Sequence, residues 1–401
     1  MKTKLIEYKL SDLYEMSSGI STKPEQAGHG YPFFSFSTIF NNAVLPEEIT
    51  DFMDTSDKER ETYSVRKGDI LITRTSETID ELAMSSVALK DYPNATFSGF
   101  AKRLRPIKNN ITYPKFMAYF MRSEYFRKII NCKATMTLRA SFNEEIFSYI
   151  KIMIPDYNDQ VKIGDLFYTI EKKIRNNNKI YTELESFTKT LYDYWFLQFE
   201  FPNDNDKPYK SLGGRMVWNE ELKREIPEGW TESTLSEISN MYQPNTFDAK
   251  LLEDDGKYRV YGAGGYMGQY HDFNHKESEI FISCRGSCGN IYRSMPFSLI
   301  TGNAMIVHPN NIYLFEYLYL TLQRIGVKNC ITGSVQPQIT RTSLNDWKLV
   351  VPSEKVVRHF KSIVEPIFKK QETIIEENSK LNSLRDFLLP MLMNGQISFN
   401  K

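Results

Sequence analysis

Residues 163–196 read IGDLFYTIEKKIRNNNKIYTELESFTKTLYDYWF, and residues 360–392 read FKSIVEPIFKKQETIIEENSKLNSLRDFLLPML. In the first stretch Ile163, Leu166, Phe167, Ile170, Ile174, Tyr181, Leu184, Phe187, Leu191 and Trp195 follow the three- and four-residue spacing of one helical face. Phe360, Ile363, Val364, Ile367, Ile374, Leu381, Leu384 and Leu388 repeat that stripe in the second. Asn177 falls where the heptad calls for an apolar residue, a device that fixes register between paired helices at a cost in stability. Ser353 is placed to cap the second helix, Pro366 is expected to kink or split it, and Pro390 with Gly395 to end it. A helix of about 40 residues spans about 60 Å, too long and too narrowly striped for one small core. The two helices are therefore expected to pack on each other.

Working outward from the helices, the whole chain is written twice. A shift of 197 residues aligns Thr135 with Thr332, Lys151 with Lys348, Pro155 with Pro352, Lys172 with Lys369, Leu184 with Leu381 and Leu191 with Leu388. Upstream the shift is 203, pairing Gly99, Ala101 and Pro106 with Gly302, Ala304 and Pro309. At the start it is 225, pairing Leu10-Ser-Asp-Leu13 with Leu235-Ser-Glu-Ile238 and Met16 with Met241. Changing offsets in constant order mean the same elements joined by loops of different length.

Globule, helix, globule, helix is most simply an α+β chain: two pseudo-twofold-related domains joined by two long antiparallel coiled-coil-like helices. The expected division is a first recognition domain at 1–154, a helix at 155–200, a linker at 201–225, a second domain at 226–351 and a second helix at 352–401. The linker is read from the Pro, Gly, Asn and Asp residues of 201–230. Within the globules, SVRKGDILITR (64–74) and SEIFISCRG (278–286) read as strands. Segments 114–130 and 314–325 read as the helices that come after them.

With 41% hydrophobic and 25% charged residues, the chain has material for real cores. No apolar run is long enough to span a membrane, the first residues lack a signal-peptide core, and four scattered cysteines make no disulfide framework. A cytoplasmic location without membrane contact is expected. Fifty basic residues balance fifty acidic ones, which argues against a simple polycationic nucleic-acid binder. The charge is nonetheless segregated. Lys102–Lys151 holds eleven basic and three acidic residues, Phe281–Lys348 six and two, and acids gather in 47–61.

Several fragments resemble catalytic or metal motifs. Tyr261-Gly-Ala-Gly-Gly265 is like the glycine-rich loop of S-adenosylmethionine-dependent methyltransferases, but no Pro-Pro exists for the Asp/Asn-Pro-Pro-aromatic motif that amino-methylation of DNA needs, and tight turns use the same glycines. His271, His275, Cys284 and Cys288 are zinc-type ligands within a short span, yet their order matches no common module and the other half lacks them, so no metal is expected. No phosphate-binding loop or nucleophile elbow occurs. A solitary methyltransferase or nuclease is the competing reading, but no carboxylate cluster recurs in both halves. Polar loops do recur: Arg74-Thr-Ser-Glu77 and Arg285-Gly-Ser287 each come just after a strand, and Thr135–Asn143 matches Thr332–Thr340 with different side chains. Solvation would explain one such loop. Their recurrence beside basic segments points to base edges and phosphates, which these side chains bond.

Ile226-Pro-Glu-Gly-Trp230, Gly333-Ser-Val-Gln-Pro-Gln-Ile-Thr340, Leu191-Tyr-Asp-Tyr-Trp-Phe196 and Leu384-Arg-Asp-Phe-Leu-Leu-Pro-Met-Leu392 together resemble the specificity subunit of type I restriction–modification systems, over the whole chain. The first half departs from that pattern with Thr135-Met-Thr-Leu-Arg-Ala-Ser-Phe142. The resemblance implies a non-catalytic subunit with two target-recognition domains, each reading half of an interrupted double-stranded DNA sequence at a spacing set by the helices. It implies two modification (methyltransferase) subunits that bind S-adenosylmethionine, with ATP- and Mg-dependent restriction subunits joining them and no cofactor in this chain. Candidate DNA-contacting residues are Arg74, Thr75, Ser76, Lys102, Arg103, Arg139, Ser141, Arg285, Ser287, Ser334, Gln336, Gln338, Thr340 and Arg341. Candidate subunit-docking residues are Leu184, Leu191, Tyr192, Trp195, Leu381 and Leu388.

Overall fold

Division by contact differs from division by chain order. The structure, a computed structural model, describes residues 4–76, 81–133, 140–286, 288–333 and 336–397. Its contacts separate two units, Met1–Asn176 with Glu377–Lys401, and Asn177–Glu376. Both boundaries fall inside long helices, Tyr157–Tyr192 and Glu354–Met393. Each unit thus joins an α+β globule to a piece of both helices. A stripe too narrow to close a core alone is buried by being built into a larger one.

In the first unit Ile163, Phe167 and Ile170 from the start of the first helix share a core with Leu392 and Met393 from the end of the second. Lys173 pairs with Glu377 at the other end of this stretch, at 3.2 Å, so the two helices run antiparallel there. In the second unit Tyr192, Trp195 and Phe196 share a core with Val357, Phe360, Val364 and Phe368. Asn177 is buried, as the heptad frame requires. The first helix closes in a π turn over Asp193–Leu197, where the Gln198 N–H reaches the Asp193 carbonyl at 2.9 Å.

The split expected at Pro366 is corrected. The second helix continues through Pro366, because the residue costs one backbone bond while buried Val364 and Phe368 hold the helix on either side. Pro390 lies inside the last turn, and the helix ends at Met393. Gly395 then takes the left-handed conformation, φ +65°, and the Gln396 N–H bonds the Met391 carbonyl. Ser353 presents its carbonyl to the Val357 N–H, as a capping residue does.

Both globules share one plan. A four-stranded sheet has the order Tyr14–Ser18, Ala101–Pro106, Ile70–Thr73, Ser85–Val87 in the first unit. In the second the order is Ser239–Tyr242, Ala304–Pro309, Ile280–Ser283, Ile291–Arg293. Tyr14 lies opposite Pro106 and Ser239 opposite Pro309, while Ile70 faces Leu104 and Ile280 faces Val307. A three-stranded sheet accompanies each, with one parallel pairing: Phe34 beside Phe97, Tyr261 beside Ile300. The registers reproduce the sequence offsets. Gly99 and Gly302 recur because a Cβ on either would stand 2.9 Å from the Ile20 carbonyl oxygen or 2.8 Å from that of Pro244.

The segment 114–130 is two helices, Pro114–Phe120 and Glu124–Lys133, not one. Buried Ser123 breaks it by accepting the Phe126 N–H, and Arg122 folds inward to bond the carbonyls of Ile39, Phe40, Asn42 and Ser85. The stretch 201–225 is likewise not a free linker. Phe201 stacks between Tyr209 and Trp230, with ring centroids 4.6 and 5.0 Å away, and Met216–Asn219 forms a hairpin with Arg224–Pro227. Among the described residues no helix is long and apolar enough to cross a membrane.

Candidate nucleic-acid interface

The strands Ile70–Thr73 and Ile280–Ser283 are buried along their whole length, and the chain meets solvent beyond them, at Arg74 in the first unit and at Arg285, one residue past buried Cys284, in the second. In the first unit the Arg74 N–H donates to the Phe100 carbonyl at 2.8 Å, and the Arg74 carbonyl accepts from the Phe142 N–H at 2.7 Å. Thr75–Ser76 then pairs with Ala140–Ser141. In the second unit the Cys284 N–H donates to the Asn303 carbonyl at 3.0 Å, and the Cys284 carbonyl accepts from the Ile339 N–H at 3.1 Å. Arg285 then bridges to Gln338. Phe142 and Ile339 are buried plugs, and Gln338, the residue before the second plug, is exposed. The backbone therefore equates Arg74 with Cys284 and Thr75 with Arg285. Alignment of the two arginines, as their similar positions suggest, is off by one residue.

The Gly333–Thr340 motif is explained by this geometry. The Thr332 and Gln338 backbones exchange two hydrogen bonds of 2.8 Å, closing a loop. Gly333 sits at φ +89°, where a Cβ would lie 2.5 Å from the Gln336 carbonyl oxygen. The Cys288 thiol donates to the Pro337 carbonyl at 3.0 Å and ties this loop to the one after the strand. Thr340 accepts from the Ser343 N–H and caps the helix Arg341–Asn345. Between the loops lies a groove of about 330 Å³ lined by Tyr242, Gln243, Arg285, Gln338, Thr340 and Arg341, floored by Met241, Met305 and Ile339.

The groove thus gathers Arg285, Gln338, Thr340 and Arg341, with Thr340 committed to capping through its hydroxyl. Gln336 is exposed on the loop but does not line the groove. Tyr242 and Gln243 were missed by sequence reasoning. The signal was available, since the 225-residue offset that pairs Met16 with Met241 sets Gln243 against Ser18. Arg139, Ser287 and Ser334 lie outside the described residues, as does the side chain of Ser141. In the first unit Arg74 is exposed, Thr75 and Ser76 are half-buried, and the Lys102 ammonium donates to the Ser18 hydroxyl at 2.8 Å.

Arg103 is a correction. It occupies the core position that Ile306 fills in the second unit, one residue on from outward-facing Lys102. Its guanidinium donates to the Ser64 carbonyl at 2.6 Å and that of Thr62 at 3.3 Å. Burial first, then the charge of Arg105, lowers its pKa. It is a structural cation, held inside the unit.

Behind the groove, the Tyr242 hydroxyl meets His275 Nε2 at 3.0 Å. Burial, then the neighbouring charge of His308, lowers the His275 pKa. His271 pairs instead with Glu253 at 2.6 Å, and burial pushes the Cys284 thiol up to about 11. The two histidines thus have different partners. Among the described residues no group of three or more such side chains could hold a metal ion. Gly262 and Gly265 flank the turn of a hairpin, Tyr258–Gly262 with Gly265–Tyr270.

Two of the candidate docking residues, Tyr192 and Trp195, are corrected. Tyr192 and Trp195 are buried inside the second unit, and Leu191 packs against the same core. Leu381 and Leu388 pack against the core of the first, and Leu184 is half-buried. Among the helix apolar residues left open are Ile180, Phe187, Leu384 and Phe387. Phe187 and Leu384, a matched pair under the 197-residue offset, are 51% and 45% exposed.

A fold repeated down to its registers, carrying polar surfaces that are not repeated, defines a two-headed reader. Residues 4–186 and 227–383 each match the type I restriction modification DNA specificity domain, and the chain belongs to that family. It is a specificity subunit, whose role is DNA target recognition without catalysis, in complexes with other subunits. It is similar to the type I restriction enzyme MjaIX specificity subunit of Methanocaldococcus jannaschii, at 23% identity over 97% of this chain and 92% of that one. Similarity to the HindI specificity subunit of Haemophilus influenzae is 21%, covering 98% of this chain and 99% of the other. The crystal structure of a type I restriction–modification S subunit from M. genitalium shares the fold with a TM-score of 0.66, at 19% identity, over 97% of this chain and 96% of that one.

Proposed function

We propose that the chain reads an asymmetric, two-part double-stranded DNA target, one part with each unit, in the cytoplasm. The observation that carries this is the shared strand-and-plug frame with different outward residues. A repeated frame serves one task, and different side chains on it select different bases. Arg74, Thr75, Ser76, Lys102 and Ser18 form the reading edge of the first unit. Arg285, Gln338, Arg341, Tyr242 and Gln243 form that of the second.

Two modification subunits are the proposed partners, with Phe187 and Leu384 at equivalent places on the helices as their anchors. Exposed aromatic and aliphatic residues repeated by the duplication suit two copies of one partner. Those subunits would bring S-adenosylmethionine, and restriction subunits ATP and Mg, so that this chain holds no cofactor. Incubation of the purified chain with DNA and labelled S-adenosylmethionine, with and without a modification subunit, tests the division of labour. Methylation is expected only with the partner, at a two-part motif recoverable by methylome sequencing, and methylation by the chain alone would overturn it. Phe187→Ser with Leu384→Ser should lower partner affinity at least about tenfold while leaving the melting temperature unchanged.

A further inference from the structure

The backbone equivalence of the two units names positions as well as surfaces. Around each buried plug, the carbonyl that receives the first N–H beyond the strand belongs to Phe100 in one unit and Asn303 in the other. The next residue of the chain is Thr75 in one and Arg285 in the other. Across the bridge from Arg285 stands Gln338. Phe100 is 65% exposed, an unusual place for a phenyl ring, and Asn303, Arg285 and Gln338 are exposed at the matching places.

We propose that these positions set the base class read by each unit, an inference that rests on the DNA-reading role above. The second unit presents a guanidinium and two carboxamides. Arginine bonds guanine O6 and N7 in two places, and glutamine or asparagine does the same for adenine N6 and N7. Its position reads a purine. The first unit presents a phenyl ring and a threonine, whose apolar surface suits the one apolar group of the major groove, the thymine 5-methyl. Its position reads an A·T pair by that methyl. Phe100 and Asn303 thereby become specificity-determining residues that no charge or motif marks.

The test is selection of duplexes from a randomised library by the full-length chain, with affinity then measured on the selected motif. The unsubstituted chain should enrich a two-part motif with a fixed purine in one part and a fixed A·T pair in the other. Replacing that thymine by uracil, which removes only the methyl, should weaken binding about fivefold. Arg285→Ala or Gln338→Ala should relax the purine preference about tenfold and leave the other part intact, which also shows that the variant is folded. Phe100→Asn should abolish the thymine-over-uracil preference, and Phe100→Leu should keep it. Enrichment of no motif would remove the DNA-reading role and this assignment with it. A motif that survives all four substitutions unchanged, or a chain indifferent to uracil from the start, would overturn the assignment alone.

Discussion

One pair of strands is bridged by a basic and an acidic side chain in both units, and the two bridges are made of different chemistry. In the first unit Arg105 meets Asp69 at 2.6 Å, between strands Ala101–Pro106 and Ile70–Thr73. At the matching residues of the second, His308 meets Glu279 at 2.9 Å. The Arg105 pKa is raised by its hydrogen bond to Asp69, whereas Glu279 is raised by burial against only partial compensation from His308. Beside them, the first unit buries Arg103 where the second buries Ile306. The frame is therefore set by register and plug, and even its inner charges can be exchanged while strand order and spacing stay fixed. That tolerance lets one fold carry two reading surfaces.

The comparison breaks most visibly at the helix ends. Trp195 in the second unit and Leu392 in the first are matched residues of the two helices, and each is buried in its own unit. Trp195→Ala should cost about 3–5 kcal/mol and Leu392→Ala about 2–5. Hydrogen exchange should then rise within 177–376 for the first variant and within the other unit for the second. If both variants kept the native denaturation midpoint and lost only partner binding, the assignment of these residues to the interior would fail.

A smaller effect separates neighbours on one strand. Arg103→Gln removes the charged donor to the Thr62 carbonyl and leaves the Ser64 carbonyl to Arg105 alone, at about 1.5–3 kcal/mol. Lys102→Ala should leave stability within about 0.5 kcal/mol and reduce the salt dependence of DNA binding by about one counterion. Calorimetry and a salt titration check the two halves of this contrast. Equal destabilisation by both would erase the inward and outward assignment.

The helical stripes, the three offsets and the paired strands were legible because each rests on a periodicity or a repeat. Less was legible where two physical terms compete. Arg103 and Lys102 look alike in a string of basic residues, and only the pleat decides which faces water. Trp195 lies on a helical stripe as a docking residue would, yet a globule core reaches round it. The aromatic residues Phe201 and Tyr209 overrode the turn chemistry of their segment. Tyr242, Phe100 and Asn303 carry no motif; the offsets set Tyr242 against Ser17 and Phe100 against Asn303, and the backbone hydrogen bonds then give those pairings a place in the site.

Gly333→Ala sharpens the comparison from the loop side. The first half of the sequence has Met136 at the corresponding position, so the substitution addresses a feature of the second unit alone. A Cβ at φ +89°, 2.5 Å from the Gln336 oxygen, is strained by about 1–3 kcal/mol. The loss should be felt by the second half-site alone, as weaker binding to that part of the target in a competition assay. An equal loss of both parts would show the loop to matter for folding and not for reading.

The smallest expected effect concerns the histidine behind Tyr242. Burial holds His275 neutral in the folded chain, with its pKa below the ordinary 6.5. The unfolded chain then binds more protons than the folded one as pH falls from about 6.5, so stability is full above that value and declines below it. The groups facing His275 are the Tyr242 hydroxyl, the Asn274 amide and, nearby, the His308–Glu279 pair. Glu279, with its pKa raised, contributes in the opposite sense: its stabilisation is complete below the ordinary carboxylate value and is lost as pH rises through the folded one. The difference between the native chain and His275→Gln isolates the histidine, because Glu279 is present in both. Melting temperatures between pH 5.5 and 8 should fall on the acid side for the native chain and less for the variant. The first unit, whose matching pair is Arg105 with Asp69, should show no such acid step when its own amides are tracked by hydrogen exchange. A step of equal size in both units would place the titration elsewhere and remove the contrast between the two bridges.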